Sequence, residues 1–157
     1  MRYEPASSSP WATGCQPGTL ALADAVRAVY PELACMTAVY GCFNRRRIEG
    51  SRAWSLHAEG RALDVGVQPP EAGLGWQLAC ELVGNRVLYG VMRLIWDGHI
   101  WSVERINEWE QVGPGTSPHL DHLHIEQYRG AAGRSRGVTA AYRVALQRAR
   151  TAASEAS

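Results

Sequence analysis

Two short stretches concentrate the residues that could do chemistry. "SLHAEGRALDV", residues 55–65, sets His57, Gly60, Ala62 and Asp64 close together, and "SPHLDHLHIEQ", residues 117–127, holds His119, Asp121, His122 and His124. Imidazole and carboxylate are the donor types that divalent metals take from proteins. "RALDVGV" alternates as a strand does, which predicts Ala62, Asp64 and Gly66 on one face and Leu63, Val65 and Val67 in the core. Asp64 then sits on a rigid element between small neighbours. Gly60 lets the chain fold back so that His57 reaches the same spot. "DHLHIE" repeats the logic: His122 and His124 share one face, Leu123 and Ile125 the other, and the strand is expected to begin at His122.

Two histidines and one aspartate with an open fourth position suit catalytic zinc. Cupin-like proteins also use a His-x-His pair, but their pattern wants a further downstream His, and none follows His124. Non-haem iron triads draw their first His and their carboxylate from adjacent strand positions, unlike His57 and Asp64.

The elements that must position these groups are legible in outline. "PGTLALADAVRAVYPEL" predicts a helix capped by Thr19 and ended near Tyr30 by Pro31, with Leu22, Val26, Val29, Tyr30 and Leu33 in one stripe. A second helix is expected over 71–84, with Leu74, Leu78 and Leu82 inward and Gly84-Asn85 as its stop. "YGVMRLIWDGHIWSV" reads as a hairpin turning at Asp97-Gly98. "GVTAAYRVALQRAR" predicts a third helix, with Val138, Ala141, Tyr142, Ala145 and Leu146 on one face, and "TAASEAS" reads as a frayed tail. The fold class is therefore α+β, a small antiparallel sheet with helices packed on one side. One domain over 1–157 with a core of about 17–150 is expected, because no repeat or linker divides the chain.

Composition narrows the function. A hydrophobic fraction of 46% with 20% charged residues describes a globular chain. The net charge of +1 gives no reason to expect nucleic acid, although all 16 basic residues are Arg. The N-terminus lacks the apolar core of a signal peptide, and no run is long enough for a membrane span, so synthesis in the cytoplasm is expected. The four cysteines, Cys15, Cys35, Cys42 and Cys80, show no C-x-x-C spacing and read as free or buried thiols in that compartment. Outside the cell a Cys15–Cys42 or Cys35–Cys42 bridge becomes available.

Jointly the two stretches resemble a known family. Ser55 to Asp64 matches the pattern SxHxxGxAxD, and "DHLH", Asp121 to His124, matches its downstream partner. These are motifs of the zinc peptidases that include D-alanyl-D-alanine carboxypeptidases, phage L-alanyl-D-glutamate endopeptidase endolysins and the Hedgehog-type fold. "NRRRIEGS" and "LIWDGHIWS" are similar to stretches of extensin-like and phage-lysin members, and the likeness runs from about Tyr40 to Gln127.

The resemblance implies one Zn2+ per chain, held by His57, Asp64 and His124. It makes Asp121 the general base, His122 the donor to an oxyanion, and Arg46 or Arg47 the holder of a substrate carboxylate. Ser55 joins the substrate side, supporting the site by hydrogen bonding. The residues themselves leave His119 exposed or beside the site, Glu59 and Glu126 as surface or hydrogen-bonding groups, and His99 exposed. Trp54, Trp76, Trp96, Trp101 and Trp109 read as core or cleft wall. Arg143, Arg148 and Arg150, without an acid near them in sequence, could adhere to an anionic wall.

The implied function is hydrolysis of an amide bond in the peptide stem of bacterial peptidoglycan by a monomeric enzyme, without nucleic acid or membrane insertion. The resemblance also implies a phage endolysin reaching the wall through a holin. The alternative is a non-catalytic zinc module of the same fold that binds a peptide or protein.

Overall fold

The computed structural model describes residues 1–35, 41–68 and 71–155, the side chains of residues 34 and 35 excepted. Helix α1 spans Pro17–Val29. It starts earlier than a Thr19 cap would place it, because Pro17 at its first position has φ preset and no N–H to satisfy. Thr19 is buried within the first turn instead. The chain then passes through β1 (Ala34–Cys35), a 3-10 turn (Leu56–Glu59) and β2 (Ala62–Gly66). Helices α2 (Ala72–Gly84) and α3 (Arg86–Tyr89) lead into strands β3 (Val91–Trp96), β4 (His99–Ser102), β5 (Arg105–Gln111) and β6 (His122–Gln127). The short α4 (Arg129–Ala132) and the long α5 (Thr139–Glu155) close the chain.

The six strands form one sheet in the order β1-β2-β6-β3-β4-β5, every pairing antiparallel. The Asp97-Gly98 turn joins β3 to β4 with φ of 50° and 74°, the positive pair that matches strand twist in a two-residue hairpin. The expected frayed tail is helical as far as Glu155, since alanine-rich "TAASE" continues α5 with good helix formers.

One face of the sheet carries the core. Leu63 and Val65 of β2, Leu123 and Ile125 of β6, and Leu94 and Trp96 of β3 pack with Leu22 and Val26 of α1, Leu78 and Leu82 of α2, and Tyr142 and Leu146 of α5. The helices thus lie on one side, and the alternation of β2 and β6 turns Asp64, His124 and Glu126 to the other. That face is not open water. The N-terminal segment crosses part of it: Tyr3 lies under the Arg93 guanidinium at 3.9 Å, and Arg61 donates to the carbonyls of Glu4 at 2.6 Å and Pro5 at 2.8 Å. Burial on both faces explains why Asp64, Glu126 and even Arg61 are enclosed. Among the described residues no helix is long and apolar enough to cross a membrane.

Candidate metal centre

His57 is delivered by the 3-10 turn. Ser55 caps that turn, its hydroxyl accepting the His57 N–H at 3.3 Å, so Ser55 is buried and its oxygen is engaged with the backbone. The turn ends at Gly60 in the left-handed region, φ 65°. A Cβ there would lie 2.1 Å from the Gly14 carbonyl oxygen, so only glycine lets the chain reverse into β2. Asp64 and His124 are cross-strand partners on β2 and β6, which fixes their side chains next to each other on the face away from the helices.

The three groups converge. His57 Nε2 lies 3.2 Å from Asp64 Oδ2 and 3.3 Å from His124 Nδ1, and His124 Nδ1 lies 2.8 Å from Asp64 Oδ1. Ligands of a tetrahedral zinc, with arms of roughly 2.0–2.1 Å, sit about 3.3 Å apart, so this spacing is that of a coordination shell.

The nitrogens facing away from the cluster are both committed. His57 Nδ1 donates to the Cys42 carbonyl at 2.9 Å, and His124 Nε2 donates to Glu126 Oε1 at 3.2 Å. Each imidazole therefore presents its lone pair to the same point, as metal-bound histidines do. All three residues are buried and could hold a metal ion together.

Without a cation this arrangement must take up a proton. His124 does so: burial opposes its charge, but Asp64 and Glu126 outweigh burial and raise its pKa to about 9. Burial likewise opposes ionisation of Asp64, and the two histidines overcome it, holding the carboxyl far below its usual range.

His122 and Asp121 flank the cluster as a pair. Asp121 Oδ1 accepts from His122 Nδ1 at 2.7 Å, and His122 Nε2 points inward, 3.8 Å from Asp64 Oδ1. The Asp121 side chain is otherwise 81% exposed, so its contact with the cluster runs through His122. His119 stands beside the cluster, one of the two placements its sequence left open. Held at φ 49°, it packs its ring 4.7 Å from that of His122 and 5.1 Å from that of His124. Burial, then the neighbouring His124, lower its pKa to about 4 and keep it neutral. Its Nδ1 donates to the Ser117 carbonyl at 2.6 Å. The His-x-x-His-x-His spacing is the one sequence signal for three rings on one edge.

The arginines separate. Arg47 stacks on Trp54 at 4.3 Å and donates to the Arg52 carbonyl, while the Arg46 side chain is exposed and forms no ion pair among the described residues. Of the two readings left open for Glu59 and Glu126, the hydrogen-bonding one holds, and both are buried. Glu59 is buried against Arg61 at 2.5 Å and Arg129 at 3.0 Å, and Glu126 is buried beside His124. Arg150 does have an acid, Glu32 at 2.5 Å, brought to it by the packing of α1 on α5. His99 is half-buried edge-on against Trp76, and Trp96 and Trp101 are core. Cys15 and Cys42 form a disulfide, which overturns the expectation of free thiols for those two, and Cys80 is free and exposed. The Cys35 side chain lies outside the described residues.

Across the sheet the pairing places Asp64, His124, Ile95, Ile100 and Glu110 in one row. Its far end opens into a cavity of about 210 Å3 lined by Arg93, Ile100, Ser102, Arg105 and Glu110 among others.

No curated protein and no solved structure matches the chain. A family model described as "VldE, C-terminal domain" matches residues 12–123, a span that holds His57, Asp64, Asp121 and His122 and stops just short of His124. That match covers more than two-thirds of the chain, which thus belongs to the VldE C-terminal domain family.

Proposed function

We propose that this protein is a zinc-dependent peptidase that hydrolyses an amide bond in the peptide stem of bacterial peptidoglycan. One observation carries the reading. Three buried donors, His57 Nε2, Asp64 and His124 Nδ1, sit at coordination spacing, and a fixed acceptor holds the far nitrogen of each histidine. A structural zinc site would be expected to offer four protein ligands, whereas among the described residues this one offers three. Bound there, zinc would act as a Lewis acid toward a carbonyl and make a water acidic near neutral pH.

The chain's own residues then divide the work. His57, Asp64 and His124 hold the metal. His122 stands beside the cluster with Nε2 inward; with its Nδ1–H committed to Asp121, Nε2 takes up a proton from the attacking water and then donates toward negative charge developing on a substrate oxygen. Asp121 fixes the tautomer of His122 and takes or returns protons in partnership with it. Arg46, exposed and without an ion pair among the described residues, is the better candidate of the two arginines for a substrate carboxylate. The cavity at the far end of the row, lined by Arg93, Ile100 and Glu110 among others, offers a place for part of an extended peptide. The motif likeness to D-alanyl-D-alanine carboxypeptidases and L-alanyl-D-glutamate endopeptidases supports peptidoglycan as the substrate, and a phage endolysin as the biological setting.

The test is direct. Purified protein should bind one zinc per chain, and incubation with purified peptidoglycan should release new peptide termini that mass spectrometry assigns to one stem bond. A zinc-replete protein that leaves peptidoglycan unchanged would instead identify a peptide-binding module.

A further inference from the structure

His124 has two nitrogens, and only one of them can serve the cluster. Its Nδ1 faces Asp64 and His57, while its Nε2 faces Glu126 Oε1 at 3.2 Å. Glu126 lies two positions along β6, so both side chains leave the same face of the strand. A carboxylate at this depth needs a reason. The Glu126 side chain is 8% exposed, Arg93 stands 3.7 Å from its Oε2, and the Tyr3 hydroxyl is its other hydrogen-bonding neighbour. An arginine partner alone would be served as well by a carboxylate at the surface, without the cost of burial. Burial at this position adds the contact with His124 at 3.2 Å, beside the one with Tyr3.

We propose that Glu126 is a positioning residue of the metal centre: it accepts the His124 Nε2–H, holds the ring in one tautomer and orientation, and so presents Nδ1 to the metal. This rests on the reading of His57, Asp64 and His124 as zinc ligands. The backbone does the same service for His57 through the Cys42 carbonyl. A carboxylate differs from a carbonyl in carrying charge, which makes the imidazole it holds a stronger donor. Glu126 therefore contributes to affinity as well as to orientation. Arg93, lying over Tyr3, places a cation beside Glu126 on the side away from His124.

Two measurements test this. The first needs no substitution: in zinc-loaded protein with 15N-labelled histidine, long-range nitrogen–proton spectra should show His124 protonated at Nε2 and bare at Nδ1. The opposite pattern would overturn the inference. The second is zinc affinity by competition with a chromogenic chelator. Glu126→Ala should weaken binding roughly tenfold to a hundredfold. Glu126→Gln, whose amide oxygen still accepts the Nε2–H, should recover most of that loss. Loss of a merely structural group would not give this rescue together with an altered His124 tautomer in Glu126→Ala. Unchanged affinity in Glu126→Ala, or no recovery in Glu126→Gln, overturns the role of Glu126 alone. An unsubstituted protein that binds no zinc overturns the metal centre itself, and this inference with it.

Discussion

Asp64 and His124 are opposite residues on paired antiparallel strands, and their side chains meet at 2.8 Å on the face the helices leave free. Sheet register alone thus supplies two of the three groups, and the 3-10 turn before β2 supplies the third, His57. Because Asp64 is the group both histidines face, its removal should be decisive. Asp64→Ala is expected to abolish stoichiometric zinc binding, measured by metal analysis after gel filtration, while circular dichroism remains that of a folded protein. Retained zinc at one per chain would show that Asp64 is not a ligand.

The metal-free protein should be most stable near pH 6.5. His124 has a folded pKa of about 9, above its unfolded value of 6.5, so its contribution is fully present below 6.5 and is lost as pH rises toward 9. His119 works in the other sense. Its pKa of about 4 lies below 6.5, so its contribution falls as pH drops from 6.5 toward 4. Zinc binding must displace the proton on His124 and should therefore release protons near neutral pH. Denaturant unfolding of metal-free protein from pH 5 to 9.5, with proton release followed during zinc titration, checks both. Stability that is flat between pH 6.5 and 9 would contradict the protonated His124.

The Cys15–Cys42 disulfide closes a loop of sequence separation 27 and holds the residue whose carbonyl fixes His57. Cross-links of that size contribute about 2–4 kcal/mol. Replacing both cysteines by Ala should lower stability by about that amount, and should also weaken zinc binding by loosening the His57 brace. The measurement is thermal unfolding with and without zinc, beside a chelator competition. A double variant that binds zinc unchanged would separate the cross-link from the metal centre.

How much of this was legible depends on whether the cause was local. The alternation of "RALDVGV" and "DHLHIE" placed Asp64 and His124 on one face, and the structure keeps them there, because a period of two survives any tertiary context that buries one side. The α1 and α2 helices were legible from their own local period of 3.6, and the β3–β4 hairpin from the turn chemistry of Asp97-Gly98. Strand β5 was not: "RINEWEQ" is an edge strand with most of its side chains in water, so it carries no hydrophobic period. The burial of Glu59 and Glu126 was hidden as well. It depends on the N-terminal segment folding back over the sheet, with Ser7 N–H donating to Glu59 at 2.7 Å, and nothing in the sequence near either glutamate announces that distant partner. Sequence left His119 either exposed or beside the site, because its approach to the cluster depends on a positive φ and on the β3–β4 turn, where the Asp97 N–H donates to the His119 carbonyl at 3.1 Å.

Asp121 and His122 should behave as one unit. The Asp121 carboxylate is exposed and hydrogen-bonded to His122, and its ionisation is favoured chiefly by that hydrogen bond, which lowers its pKa. Asp121→Ala should leave zinc bound yet cut hydrolysis of peptidoglycan by about 10²–10⁴-fold, the usual range for a lost proton-transfer group. His122→Ala should do the same, and the double variant should be little worse than either single one, since groups that act together are non-additive. Turnover of purified peptidoglycan by the four proteins, at equal zinc content, decides the matter. Independent, multiplying losses would mean that Asp121 reaches the substrate on its own, and a fully active Asp121→Ala would remove it from the reaction.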